Sequence, residues 1–125
     1  MKSLSFVLIL SLMAAPLLAA ESPPYLKPNL RFTKARMLLL KDGWKPIPMH
    51  INDHYKYDGV EKELVLRKFM EVDSCSNDSA RCVLYYRKKE ICLRVDTIGE
   101  HVRGMKVVRW TAECPAPADA HDAAG

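Results

Sequence analysis

His50 and His54 stand four residues apart, with Asp53 between them and Asp58 beyond. On a helix that spacing sets two imidazoles on one face, where they could ligate a transition metal. The residues around them do not read as helix, and His101 and His121 lie far along the chain. The pair therefore reads as surface histidines on a loop, and no metal is expected. Glu100 beside His101, between Gly99 and Gly104, is the nearest approach to an acid–base pair, but adjacent side chains rarely converge on one reacting atom. There is no G-x-S-x-G and no H-E-x-x-H. No cysteine is expected to stay reduced, so no nucleophile, catalytic residue or cofactor is expected either, and the chain does not read as an enzyme. Asn77-Asp78-Ser79 matches a glycosylation acceptor, which matters only in a eukaryotic secretory pathway; otherwise it is turn chemistry.

The cysteines are the other reactive set. Cys75, Cys82, Cys92 and Cys114 form an even count with no C-x-x-C pair, which favours disulfides over zinc. Three connectivities exist. Cys75 to Cys82 encloses a polar, turn-rich run from Ser76 to Arg81, and closing so short a loop stabilises by about 2.5 kcal/mol in the chain-entropy picture. Elimination then pairs Cys92 with Cys114.

Disulfides require an oxidising compartment, and the start of the chain supplies the route. Lys2 is followed by an almost unbroken apolar stretch from Leu4 to Leu18, then by Ala19-Ala20 and polar Glu21, the pattern of a cleaved secretory signal over residues 1–20. The stretch is shorter than the roughly 20 apolar residues of a membrane span, so no span is expected. A single lysine and a leucine-rich core suit bacterial export, to the periplasm or, as the alternative, to full secretion. The chain carries 19 Lys and Arg against 15 Asp and Glu, and Lys2 falls in the leader. So small an excess does not argue for nucleic acid, and export argues further against it, so no nucleic-acid partner is expected. It leaves room for weak attraction to an anionic envelope polymer.

The elements that must position these residues come from proline, glycine and periodicity. Ser22-Pro23-Pro24 and Pro28 keep residues 21–32 extended. Thr33 as cap, with Phe32 and Met37 as a hydrophobic staple, predicts a first helix from Thr33 to Asp42, stopped by Gly43 and Pro46. Trp44 to Tyr57 has no steady period and reads as loop. Asp58 and Glu61 resemble a capping box for a second helix reaching Lys68, although Leu64-Val65-Leu66 could also begin a strand. From Val72 the period becomes two: Cys82–Arg87 and Glu90–Thr97 form a hairpin, Lys106–Glu113 adds a strand, and Glu71–Cys75 supplies a fourth. Residues 33–114 thus read as one α+β domain, one or two helices on one face of a three- or four-stranded antiparallel sheet stapled by disulfides. Residues 115–125 contain no large apolar side chain and read as a disordered tail.

Alternation assigns faces. Ile91, Leu93, Val95, Val108, Trp110 and Ala112 suit the buried side, with Leu84 and Tyr86 when Arg87 pairs with Glu90. Tyr85, Arg94, Arg109 and Thr111 then share the opposite side. Cys114 has the parity of Trp110 while Cys92 lies outward, so their bridge needs a bulge or a bend beyond Thr111. Tyr and Arg are enriched at interface centres, which makes Tyr85, Arg94, Arg109 and Thr111, extended by Trp44 and by the loop of Tyr55 and Tyr57, the candidate partner surface.

The phrases from Ala35-Arg36 to Asp42-Gly43-Trp44-Lys45-Pro46, Glu71-Val72 to Cys75-Ser76 and Cys82, and Thr97-Ile98-Gly99-Glu100 with Val108-Arg109-Trp110 resemble a family of small exported bacterial proteins of unknown function. That resemblance implies a helix-then-sheet module, remotely similar to one repeat of the beta-lactamase inhibitor protein fold. Cys92 and the insertion from Met49 to Val60 depart from its pattern. The expected function is binding in the periplasm, to an exported protein as an inhibitor or immunity-type partner. The alternative is an envelope factor contacting anionic wall or lipid components.

Overall fold

A computed structural model describes residues 22–117, with Ser3 alone before them. The expected leader, save Ser3, and the tail from residue 118 lie outside the described residues. Two helices, α1 (Phe32–Lys41) and α2 (Val60–Leu66), stand with five strands: β1 (Lys45–Pro46), β2 (Val72–Cys75), β3 (Arg81–Lys88), β4 (Ile91–Ile98) and β5 (Lys106–Thr111). All pairings are antiparallel. β3, β4 and β5 follow one another across the sheet, and the remaining edge of β3 is shared end to end, β1 against Tyr86–Arg87 and β2 against Cys82–Leu84. Among the described residues, no helix is long and apolar enough to cross a membrane.

α1 begins one residue earlier than predicted, and its staple does not form. Phe32 lies inside the helix, fully buried, with its N–H donating to the Met105 carbonyl at 2.8 Å; the sheet end supplies the acceptor expected from a side-chain cap. Met37 is exposed instead of meeting Phe32, whose ring meets Phe69 edge-on at 6.1 Å. The stop follows the sequence closely. Gly43 has φ +94°, its N–H donates to Leu40, and Trp44 N–H donates to Leu39. That paired pattern is the Schellman ending, and it brings Trp44 beside Leu39 in the core.

α2 is shorter than predicted. Half of its capping box forms: the Glu61 carboxylate accepts the Asp58 N–H at 3.0 Å, while the Asp58 side chain accepts from Gly59 rather than from Glu61. The stretch read as loop contributes β1 at its start, because Pro46 can sit on a sheet edge where no donor is needed.

One core joins Phe32, Ala35 and Leu39 of α1, Val60 and Leu64 of α2, and Cys82, Leu84, Tyr86, Leu93, Val95 and Val107 of the sheet. The hairpin turns on Lys89-Glu90, with Lys89 at φ +55°, and pairs Arg87 with Cys92 rather than with Glu90. That shift is two residues, and two residues restore the same face, so Leu84, Tyr86, Leu93 and Val95 are buried as expected. β5 does depart from the prediction. A bulge opposite Asp96–Thr97 turns Val107 into the core in place of Val108, and Ala112, expected inside, sits exposed at a bend. Ile91, at the hairpin end, is also exposed.

The bend at Ala112 removes the parity conflict. Cys92 and Cys114 are bridged with their Cα atoms 4.8 Å apart, Cys75 and Cys82 are bridged likewise, and no free cysteine is left. Closed bridges are compatible with an oxidising compartment. In the chain-entropy picture the longer loop adds about 3 kcal/mol. Gly99 holds the return towards β5 at φ +151°, where a Cβ would stand 2.7 Å from Met105 Cα.

Candidate functional site

Among the described residues, no helix covers the second face of the sheet. Strand pairing lays its side chains in rows: Tyr85 faces Arg94, which faces Thr111, and in the next row Val83 faces Asp96, which faces Arg109. Alternation along β4 puts Arg94 and Asp96 on one side, and the two join as an ion pair with Arg94 Nε 2.7 Å from Asp96 Oδ1. Arg109 Nε donates to Asp96 Oδ2 at 2.6 Å, and Arg94 Nη1 donates to Glu113 at 3.1 Å. Bonds to Asp96, then to Glu113, raise the pKa of the Arg94 guanidinium. The result is a balanced lattice of two cations and two anions beside an open recess of about 400 Å³ bordered by Arg94, Arg109, Thr111, Ala112 and Glu113.

Arg109 is the accessible member, with its side chain 71 % exposed. Its Nε is fixed by Asp96, while its two terminal nitrogens make no hydrogen bond among the described residues. A guanidinium aimed in this way offers a planar fork to a carboxylate or to backbone carbonyls. Arg94, Arg109 and Thr111 are thus brought together as the alternation predicts. Tyr85 and Trp44 are not presented with them, each being only 7 % exposed. Tyr85 lies between Arg94 and the Ile47 backbone, whose N–H bonds its carbonyl, and burial raises its hydroxyl pKa. Trp44 is drawn into the core by the ending of α1.

The histidines go elsewhere. His50 and His54 do not share a helical face; both adopt left-handed backbone, at φ +60° and +57°. His50 ties its loop to β2: Nδ1 lies 2.6 Å from Asp53 Oδ2, Nε2 meets the Asp73 carbonyl, and the ring stacks on Tyr55 at 3.9 Å. Both ring nitrogens face acceptors, so both must donate, which needs the imidazolium. Burial opposes that charge, but the Asp73 carbonyl and the Asp53 carboxylate outweigh it and hold the His50 pKa above the ordinary histidine range. Tyr55 in turn donates to Glu61, whose carboxylate also accepts the Cys75 N–H at 2.7 Å. Burial, then this bond, pushes the Tyr55 hydroxyl up to about 12. His101 pairs with Glu63 of α2 at 3.2 Å and not with its neighbour Glu100. Among the described residues no group of three or more His, Cys, Asp or Glu could hold a metal ion. Ser79 of the glycosylation-like motif sits in a turn, its hydroxyl 2.6 Å from that of Ser76.

Sequence reasoning missed the buried charge network. Glu71 is fully buried, paired with Arg36 Nε at 2.6 Å and accepting the Tyr86 hydroxyl at 2.7 Å, while the Arg36 guanidinium covers the Phe69 ring at 3.9 Å. The one signal was Arg36, a cation one position from buried Ala35 on the inward arc of α1. Comparison of the chain with family models, curated proteins and solved structures found no match.

Proposed function

We propose that the protein is a small exported binding protein, non-enzymatic and acting in the periplasm, whose outer sheet face engages another exported protein as an inhibitor or immunity-type partner. The observation that carries this reading is the Arg94–Asp96–Arg109–Glu113 lattice, built on a sheet face that no helix covers among the described residues. Asp96 fixes the aim of both guanidiniums before a partner arrives, which lowers the entropic cost of recognition. Both closed disulfides favour the exported compartment. The partner chemistry that fits is an acidic or carbonyl-rich surface reaching Arg109 across Thr111.

The test is affinity capture from an envelope extract with the exported protein as bait, run beside Arg109→Ala and Thr111→Arg. A partner held through this face should lose about 30-fold or more in affinity with either variant, the scale of an interface hot spot, while stability falls by no more than an exposed ion pair contributes, about 1 kcal/mol or less. Capture that is indifferent to both substitutions refutes the surface.

A further inference from the structure

The outer ridge of α1 combines exposed apolar side chains with cations that have no carboxylate partner among the described residues. Phe32–Lys41 contains no acidic residue. Arg36 turns inward to Glu71, whereas Lys34 and Lys41, with Arg31 at the helix start, are exposed and have no carboxylate within 4 Å among the described residues. Met37 and Leu40 stand on the same side, 59 % and 39 % exposed. At about 100° per residue, Lys34, Met37, Leu40 and Lys41 fall within an arc of roughly 120° opposite buried Phe32, Ala35 and Leu39.

Large apolar side chains flanked by unneutralised, flexible cations match an interface with two layers, apolar below and anionic above. Lysine stems can lie along apolar surface while the ammonium groups stay at the level of phosphates. An anionic wall polymer would meet the cations and gain nothing from Met37 and Leu40. We propose that this ridge docks the protein on an anionic lipid bilayer, with Met37 and Leu40 entering the headgroup boundary and Lys34 and Lys41 meeting lipid phosphates. α1 packs on the core face of the sheet, so docking by its outer ridge turns the Arg94–Arg109 face away from the membrane. The inference goes beyond the sheet-face reading and does not depend on it.

The experiment is cosedimentation of the exported protein with vesicles of phosphatidylglycerol and phosphatidylethanolamine, compared with phosphatidylcholine alone. Retention is expected on the anionic vesicles only, falling at least tenfold between 50 and 500 mM salt, since exposed charge attraction is screened over roughly 10 Å at 0.1 M. Lys34→Glu with Lys41→Glu should abolish it, Met37→Ser with Leu40→Ser should weaken it severalfold, and Arg109→Ala should leave it unchanged. Failure to bind anionic vesicles at low salt overturns the proposal. So does binding that survives the charge reversals. Full retention by the Met37→Ser, Leu40→Ser variant overturns it as well, because the ridge would then serve as a polyanion site without a bilayer. A variant that binds like the parent at Arg109 while losing its protein partner separates the two surfaces.

Discussion

On the sheet, Arg94 and Arg109 each hold a carboxylate at 2.7 Å or less, whereas on α1 the exposed Arg31, Lys34 and Lys41 have none within 4 Å among the described residues. The two faces hold their cations differently. A paired guanidinium is fixed in direction and contributes shape to recognition, but its long-range field is largely cancelled by its partner. An unpaired ammonium on a flexible stem fixes no geometry and keeps its field, which reaches about one Debye length. One face is suited to a partner of definite structure, the other to a fluid layer of charge. The contrast predicts that substitutions on paired charges change stability, while substitutions on unpaired charges change only association.

The sharpest case is the pair furthest from water. Glu71→Ala leaves Arg36 and the Tyr86 hydroxyl without their shared acceptor in the core, and breaking a buried pair from one side costs about 3–5 kcal/mol. Denaturant unfolding should show a loss of that order. A loss below about 1 kcal/mol would mean that Arg36 escapes to water along Phe69, and the pairing would not be what holds α1 to the sheet.

Asp96→Ala is the surface counterpart, with an expected cost of about 1–2 kcal/mol. Exposed pairs usually contribute less, but Asp96 accepts from two arginines and its side chain is only 11 % exposed. Its removal sets two guanidiniums side by side with Glu113 as the remaining partner. If Asp96→Ala unfolds at the parental denaturant concentration, the lattice has no structural role and the contrast between faces fails on its strong side.

How far each face was legible in the sequence follows from the same physics. Strand alternation is local, and the hairpin register error was two residues, so Arg94, Arg109 and Thr111 fell on the correct face despite it. Tyr85 shared their parity and is nonetheless buried, because Ile47 reaches the sheet edge from a segment with no strand period of its own. Val107 replaced Val108 because a bulge leaves no signature in alternation. Gly43 could be read as a helix stop from one residue, yet the consequence that Trp44 enters the core depends on a tertiary contact. Arg36–Glu71 and His50–Asp73 join residues 35 and 23 positions apart, and no spacing rule connects them.

His50 gives a smaller, pH-dependent effect that tests pairing without changing the chain. The groups facing it are Asp53, Tyr55 and Tyr57 of its own loop and Asp73 of β2, with Glu61 of α2 behind Tyr55. Its folded pKa is raised, so the stabilisation is complete below the ordinary histidine value and is lost as pH rises through the folded one. Unfolding midpoints should therefore fall as pH rises from below the ordinary histidine value through the raised one, and His50→Gln should remove that slope. A slope that persists in His50→Gln would assign the dependence to another group.

The smallest expected change in stability is on α1. Lys34→Glu places an acid near the start of a helix that has none there, where the helix dipole favours it, and sets it three residues from the cationic Arg31 without touching the core. Met37→Ser removes an apolar surface that already faces water. Each should unfold within about 0.5 kcal/mol of the parent, the usual range for surface positions without buried partners. The value of so small a number lies in its contrast with Asp96→Ala: a lipid-docking ridge must be dispensable to the fold, since its side chains find their partners outside the molecule. A loss above about 1 kcal/mol from either substitution would show that Lys34 or Met37 is engaged within the protein, and the ridge would then belong with the paired charges of the sheet.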